Sequence, residues 1–476
     1  MANRKIIFGL ALIAVAGCRS AAPELVQLPI PDANESVEFA AQPLPATLPA
    51  AAEVRSVAYL EMLDPLDNPN SLGEEINTPT PAGEQLPELT LNELEAIALS
   101  VHPAIGRATA KVQALRGKQR QVGLPPNPTV GYVGNEIGNE GSAGQQGGFV
   151  GQQFITGDKL QLSQQVVSQE IVRAEQQLAT QQRRIQTDVR LGYYNVLIAQ
   201  RKIAVAEELL EVNKAAVEAS QELFDAKEIS RAALLQTELE LRNTQIVMRR
   251  AHNEENARWR QLESLLGEGI ELAGRQLAGS LEELPDTLSW NQQLARLTTL
   301  SPEIAEAVAE MQRARRAVDR ACAEAIPDVN TQLSVQFDDS TNDTVASVQV
   351  GIPLPIWNRN QGGIQQARAE VAAAQRNIER VEQDLKNRMA AAFQSYADAQ
   401  YQVDHFSTKI LPQARESLTL VGKGYRLGEL GYLDLVTAQR TYSRTHLSYI
   451  DSLQNLWHSA VQIDGLLLEG SLNDVP

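Results

Sequence analysis

Cysteine is nearly absent: the 476 residues hold two, Cys18 and Cys322. Cys322 falls in a helical pattern and reads as a small buried apolar residue. No apolar run reaches the roughly 18 residues of a membrane-spanning helix, which argues against a helical membrane protein. The net charge is −17 and no basic stretch stands out, so a nucleic-acid partner is not expected. Catalytic signatures are missing as well. The five histidines, His102, His252, His405, His446 and His458, are scattered, with no pair at metal-ligand spacing. His405 beside Asp404 reads as an exposed helix face. There is no glycine-rich phosphate loop and no nucleophile elbow. These gaps argue against an enzyme, a bound metal or a cofactor.

What is present begins at the N-terminus. Arg4 and Lys5 precede a short apolar stretch, Ile6 to Val15, and residues 1–17 read as a signal peptide. Ala16-Gly17-Cys18 resembles the lipobox of bacterial lipoproteins. That resemblance implies that Cys18 becomes the first mature residue and carries lipid, leaving Cys322 no internal disulfide partner. Residue 19 is arginine, not the aspartate that typically retains lipoproteins in the inner membrane, so the outer membrane is the expected address. Residues 18–88 are rich in Pro and Ala without a sustained period, and read as a lipidated tether. Helical order begins at Leu89, with Asn92 as the expected cap.

The remainder repeats once. "VHPAI" (Val101 to Ile105) recurs as "LSPEI" (Leu300 to Ile304), about 199 positions on. "NPTV" (Asn127 to Val130) recurs as "IPDV" (Ile326 to Val329), and Val150-Gly151 as Val350-Gly351. "FDAKEISRAALL" (Phe224 to Leu235) recurs as "YRLGELGYLDLV" (Tyr425 to Val436). Landmarks in constant order with a nearly constant offset indicate tandem duplication, over 89–284 and 285–470, with 471–476 a C-terminal tail. Each half predicts a helix (Pro103–Gln121 and Pro302–Glu324), two short strands, and a long helical hairpin.

In the second half, Leu333, Val335 and Phe337 alternate with Gln332, Ser334 and Gln336; Ala346, Val348, Val350 and Ile352 alternate with Ser347, Gln349 and Gly351. Each strand thus has one apolar and one polar face. No proline occurs from Asp158 to Ala226, a run that could extend roughly 100 Å as helix. Val371, Ile378, Val381, Leu385, Met389, Phe393 and Tyr396 form a narrow stripe, a coiled-coil-like seam. Pro412 should break or kink its helix. Four short strands cannot enclose a channel, and open edges are forbidden in lipid, so several copies should share one barrel. "IPLPIWNRNQGG" (Ile352 to Gly363) then fits the place where the chain leaves that barrel. Pro353 and Pro355 end strand pairing. Trp357 suits the membrane interface. Gly362 and Gly363 allow the turn into the helix, and Thr156-Gly157-Asp158 turns and caps the matching helix in the first half.

This combination of lipobox, tether, duplicated helix–hairpin–helix plan, "PLPIWNRNQGG" and "YRLGELGYLDLVTAQRTY" resembles the TolC family of outer-membrane efflux ducts, over roughly Leu89 to Gly470. The turn most resembles the CzcC-type branch of heavy-metal export. The resemblance implies a mainly α fold with a small β part. It implies a homotrimer with a 12-stranded outer-membrane β-barrel, four strands per chain, and a long periplasmic α-barrel. It implies as partners outer-membrane lipid, a periplasmic adaptor (membrane fusion protein) and an inner-membrane pump, often of the resistance-nodulation-division (RND) class. The adaptor is expected at two tips, Lys227-Glu228-Ile229-Ser230 and Gly428-Glu429-Leu430-Gly431, with Gly428 and Gly431 supplying the tight turn. Asp434 holds the position of an acid that rings the lumen, where three carboxylates favour cations, and Tyr425 that of a gate contact. The family's second acid, gate arginine and first-half partner acid are here Thr437, Leu430 and Ala233. The expected function is a passive exit duct for divalent metal cations or small toxic compounds. Alternatives are a type I protein-secretion duct, a periplasmic adaptor, or an envelope scaffold lipoprotein. Two equivalent hairpins and few strands argue against the adaptor, and the alternating strands and paired tips against a scaffold.

If Cys18 carries the lipid, Cys18→Ala reduces membrane retention on fractionation yet leaves the fold intact, since a shared barrel inserts by itself. Complete loss of the trimer in that variant would contradict this.

Overall fold

A computed structural model describes residues 88–472, except 139, 140, 142, 268–271, 273 and 274. The signal peptide, the tether, Cys18 and most of the C-terminal tail lie outside the described residues.

The chain runs twice through one plan. The first pass is α1 (Leu91–Val101), α2 (Pro103–Val122), β1 (Thr129–Asn135), β2 (Gln145–Phe154), α3 (Lys159–Asp225) and α4 (Arg231–Leu266). The second is α5 (Trp290–Leu300), α6 (Pro302–Ala323), β3 (Val329–Asp338), β4 (Asp343–Gly351), α7 (Gln361–His405), α8 (Leu411–Arg426) and α9 (Tyr432–Asp464). α1 is capped by Thr90, not by Asn92 as expected. The Thr90 hydroxyl accepts from Glu93 N, and the Glu93 carboxylate accepts from Thr90 N (2.9 Å), so both partners of a capping box are present. Cys322 is half-buried rather than buried. It lies near the end of α6.

α3 is one helix of 67 residues, about 100 Å at 1.5 Å per residue. Its counterpart is α7 and α8, joined by a π-helical turn at Phe406–Ile410 in which Leu411 N donates to Phe406 O, five residues back. Pro412 causes this. Its ring would strike the carbonyl four residues back, and the wider π turn moves that carbonyl away. The rod is therefore continued through a bulge, not broken at Pro412.

The strands form one antiparallel sheet in the order β1-β2-β3-β4. The β2–β3 ladder runs from Gln145↔Asp338 to Phe154↔Val329 and joins the two repeats. Each long rod starts from a left-handed residue at the same step: Asp158 (φ 54°) before α3 and Asn360 (φ 56°) before α7. Asp158 occupies the cap position but makes no side-chain cap. The reorientation expected at Gly362 and Gly363 is made at Asn360 instead. Asn360 Nδ2 donates to Ala321 O (2.9 Å), and Gly363 leaves room for that side chain, since a Cβ there would stand 2.4 Å from Asn360 Oδ1. Lys159, buried at the start of α3, is neutralised by Asp328 at 2.7 Å, tying the first repeat's rod to the second repeat's strand.

Two apolar clusters lie along the helices. One gathers Ile185, Val189 and Val196 of α3 with Leu262 and Leu266 of α4. The other gathers Leu385, Met389 and Tyr396 of α7 with Leu453 and Leu456 of α9, using the predicted seam. An ion cluster joins four elements beside them. Arg190 of α3 donates to Glu95 of α1 (2.6 Å) and to Asp464 of α9, and Arg296 of α5 donates to Asp464 (2.7 Å).

Burial pushes the Asp464 carboxyl up, but Arg296 and Arg190 outweigh it and hold the group below the usual carboxylate range. A lowered folded value means that this contribution is fully present above the unfolded value of about 3.9 and is lost as pH falls through the lowered one. Acid unfolding should therefore gain slope below about pH 4, and Asp464→Asn should remove part of that slope. Parallel acid-unfolding curves for the two proteins would remove Asp464 from the account.

Candidate functional site

The sheet is inside out by the standard of a water-soluble protein. Paired residues share a face, so Val130, Val150, Leu333 and Val348 line up across all four strands. All four are exposed, Leu333 at 51%, whereas Ser334 and Gln336 of the opposite face are 6% and 5% exposed. A soluble antiparallel sheet covers its apolar face. On the central strand β3 the covered face is the polar one, with Asn135 Nδ2 donating to Gln336 Oε1 (2.9 Å) and Gln336 Nε2 to Ser334 Oγ (3.4 Å), while Ser347 and Gln349 of the edge strand β4 are exposed. The outer edges of β1 and β4 have no strand partner among the described residues.

Beyond β4 the chain turns at Pro353 and Pro355 and exposes Leu354, Ile356 and Trp357, the last at 86%. Two hydrogen bonds brace this turn: Arg359 Nε donates to Pro355 O (3.1 Å) and Gln361 Nε2 to Trp357 O (2.9 Å). The turn thus adds an apolar rim at the level where the helices begin.

At the far end of the helical part, both tips use one backbone device. Glu228 N donates to Leu223 O (2.8 Å) and Lys227 N to Phe224 O (2.9 Å); Glu429 N donates to Gly424 O (2.9 Å) and Gly428 N to Tyr425 O (3.0 Å). These are two Schellman motifs, with Lys227 (φ 65°) and Gly428 (φ 73°) as the left-handed residues. Gly431 takes no part in the tight turn. It is extended and caps α9 (φ −82°, ψ 161°), as Ser230 caps α4. Glycine has no capping side chain, and the Asp434 carboxylate accepts from Gly431 N (3.1 Å) in its place. Asp434 is otherwise exposed, as are Lys227, Glu228, Ser230, Glu429 and Leu430, while Ile229 is half-buried. Leu430 lies over Gly424, where a Cβ would come within 2.8 Å of it.

Tyr425 is placed differently from the gate contact expected of it: it is 2% exposed, inside the chain. Its hydroxyl lies 2.8 Å from Ser220 Oγ, and the Ser220 hydroxyl donates to Ala216 O (2.8 Å), so Tyr425 is the donor to Ser220. This bond ties the second hairpin to the first. Two further ties were not anticipated. Arg440 of α9 donates to Glu240 of α4 (2.9 Å). Arg415 of α8 (3.0 Å) and Tyr442 of α9 (2.7 Å) both donate to Glu208 of α3. Burial pushes the Glu208 carboxyl up, but the bonds from Tyr442 and Arg415 outweigh it and bring it below the usual range. Burial lowers the neighbouring His446. Glu208 and Arg415 are 207 positions apart, and no periodicity links such residues. Only the constant repeat offset could have hinted at them.

Residues 294–467 match the family described as outer membrane efflux protein. The cobalt-zinc-cadmium resistance protein CzcC of Cupriavidus metallidurans is 25% identical over 286 residues, 60% of this chain and 67% of that protein. The solved structure of CusC, described in terms of transmembrane channel formation, matches with a TM-score of 0.67 at 20% identity, over 80% of this chain and 92% of that one. The outer membrane protein VceC of Vibrio cholerae matches with a TM-score of 0.65 at 16% identity, over 80% and 96%. The duplicated fold is that of the outer-membrane channels.

Tyr425→Phe removes one buried hydrogen bond while Ser220 keeps its bond to Ala216, at a cost of about 1 kcal/mol. Hydrogen exchange of the α8–α9 tip amides should accelerate about five-fold. An unchanged rate would mean that the bond does not hold the hairpins together.

Proposed function

We infer that this chain, which carries an outer membrane efflux protein domain on the fold of the outer-membrane channels, is one of three identical subunits of the exit duct of a tripartite efflux system. The observation that carries this reading is the sheet with its apolar face outward and both edges open. In lipid every edge must be paired, and closure is the only solution for strands. Two copies would give eight strands, a barrel whose interior side chains fill it. Three give twelve and leave a lumen, lined here by the small and polar inner face. The rods, about 100 Å long, then form the periplasmic wall, and the Leu354–Trp357 rim marks the periplasmic interface of the outer membrane.

In this reading the two tips meet a periplasmic adaptor, which connects the duct to an inner-membrane pump of the RND class. The energy comes from the pump, so the duct performs no catalysis. Lipid on Cys18 anchors each chain on the periplasmic side. Divalent metal cations are the cargo that best fits two facts together: the likeness to a cobalt-zinc-cadmium resistance protein and an exposed carboxylate, Asp434, at the tip of the second hairpin. Three copies of Asp434 at a constriction attract cations and repel anions.

Negative-stain electron microscopy of the membrane-extracted protein should show hollow cylinders well over 100 Å long, given the helix rise, with three-fold end views. Compact particles without a lumen would sink the duct. In bilayer recordings Asp434→Asn should lower the cation preference toward unity; unchanged selectivity would remove the gate role from Asp434 and leave the duct standing.

A further inference from the structure

Of the aromatic residues in the four strands, Tyr132, Phe154 and Phe337 share the outward face with Val130, Val150 and Leu333. Phe149 of β2 alone lies on the opposite, inner face. Its partners across the strands are Gly131 of β1 and Ser334 of β3, and Ser347 of β4 continues the row. On its own strand the neighbours on that face are Gly147 and Gly151. The ring is therefore surrounded by three glycines and a serine. The rows beside it carry amides such as Gln332, Gln336 and Gln349, and the charged side chains of this face are confined to Asp338 and Asp343 at the β3–β4 turn.

The ring does not stand straight off the sheet. It lies sideways over β1, where a Cβ built on Gly131 would stand 2.5 Å from Phe149 Cε1 and 2.7 Å from Cζ. Gly131 sits in a regular ladder without a positive φ, so its backbone conformation does not call for glycine. Glycine inside a strand weakens it and often marks a close approach. Here the approach is that of the ring. Covering a glycine on an edge strand also firms the ladder. Packing alone, however, would surround an aromatic with other apolar side chains, and its nearest neighbours on this face supply none.

We propose that Phe149 sets the bore of the β-barrel and that Gly131 holds it open. The proposal rests on the three-chain duct. Closure places three copies of the ring at one level of the lumen, an apolar collar between amide-lined rows. Phe149 is the longest apolar side chain on the inner face, and an apolar constriction resists wetting where amides do not. Gly131 gives each ring room to lie along the wall. Cargo is then sorted by size at this level, whereas Asp434 acts on charge at the tips.

Single-channel conductance in planar bilayers tests this. Valine is favoured in strands, so Gly131→Val keeps the ladder while driving each ring off the wall. Its conductance should fall about two-fold or more below wild type as the collar narrows and dries. Adding Phe149→Ala to that variant removes the ring and should restore conductance to at least the wild-type value. A ring that only firms the ladder would leave conductance unmoved. No loss in Gly131→Val, or a loss that persists in the double variant, overturns the collar. Three-fold end views in electron micrographs show that the variants assemble. If Gly131→Val does not, Gly131→Ala takes its place under the same expectations, because its Cβ alone would stand 2.5 Å from the ring. Failure of the duct itself reads differently: the wild type then opens no channels.

Discussion

A strand edge in lipid has no water to satisfy its backbone, and in the proposed duct the rest of this molecule follows from that constraint. The chain makes four strands in one antiparallel sheet and leaves the edges of β1 and β4 open. It turns Val130, Val150, Leu333 and Val348 outward and Ser334 and Gln336 inward. Such a sheet is unfavourable in water, because the exposed face is hydrophobic, and unfavourable in lipid as a monomer, because the edges lack partners. Closure with other copies removes both defects. Duplication makes this economical: the ten-pair β2–β3 ladder joins the repeats, so each chain delivers four strands as one continuous piece.

The helical part answers a different demand, length. α3 reaches its span without proline, and the second repeat reaches almost the same span despite Pro412, through the π turn at Phe406–Ile410. Alanine-rich seams let such rods pack closely but bury little apolar area per residue. Toward the tips, apolar packing gives way to single polar ties between the hairpins: Ser220–Tyr425, Glu240–Arg440 and Glu208 with Arg415 and Tyr442. The buried Ser220–Tyr425 bond is worth about 1 kcal/mol, and the pairs made by the largely exposed Arg440 and Arg415 are each worth about 0–1 kcal/mol. The end of the rod is accordingly held by a few discrete contacts.

Much of this was legible in the residues because it depends on period and offset. Alternation in "NTQLSVQF" and "VASVQVGI" located β3 and β4, and the near-200 offset located two equal rods and two tips. What misled was local chemistry with more than one solution. Asn92 and Thr90 are both good caps, and Thr90 won because Glu93 stands three residues on to complete the box. Gly362 and Gly363 suit a left-handed bend, but Asn360 takes it, since its amide also reaches Ala321 O. Gly431 suggested a tight turn, which Gly428 makes alone. Tyr425 was expected as a gate contact, and its side chain points into the chain toward Ser220.

By itself the sequence determined which segments are strand and helix, that the plan occurs twice, and which strand face is apolar. These follow from side-chain spacing along the backbone, a property each segment carries alone. Only the tertiary structure decided that the two β-hairpins join through β2 and β3 and that Glu208 meets Arg415 and Tyr442. Such contacts join residues far apart in the chain, 207 and 234 positions for Glu208 with Arg415 and Tyr442. They are set by how long rods lie against one another, where a shift of one helical turn would replace every partner.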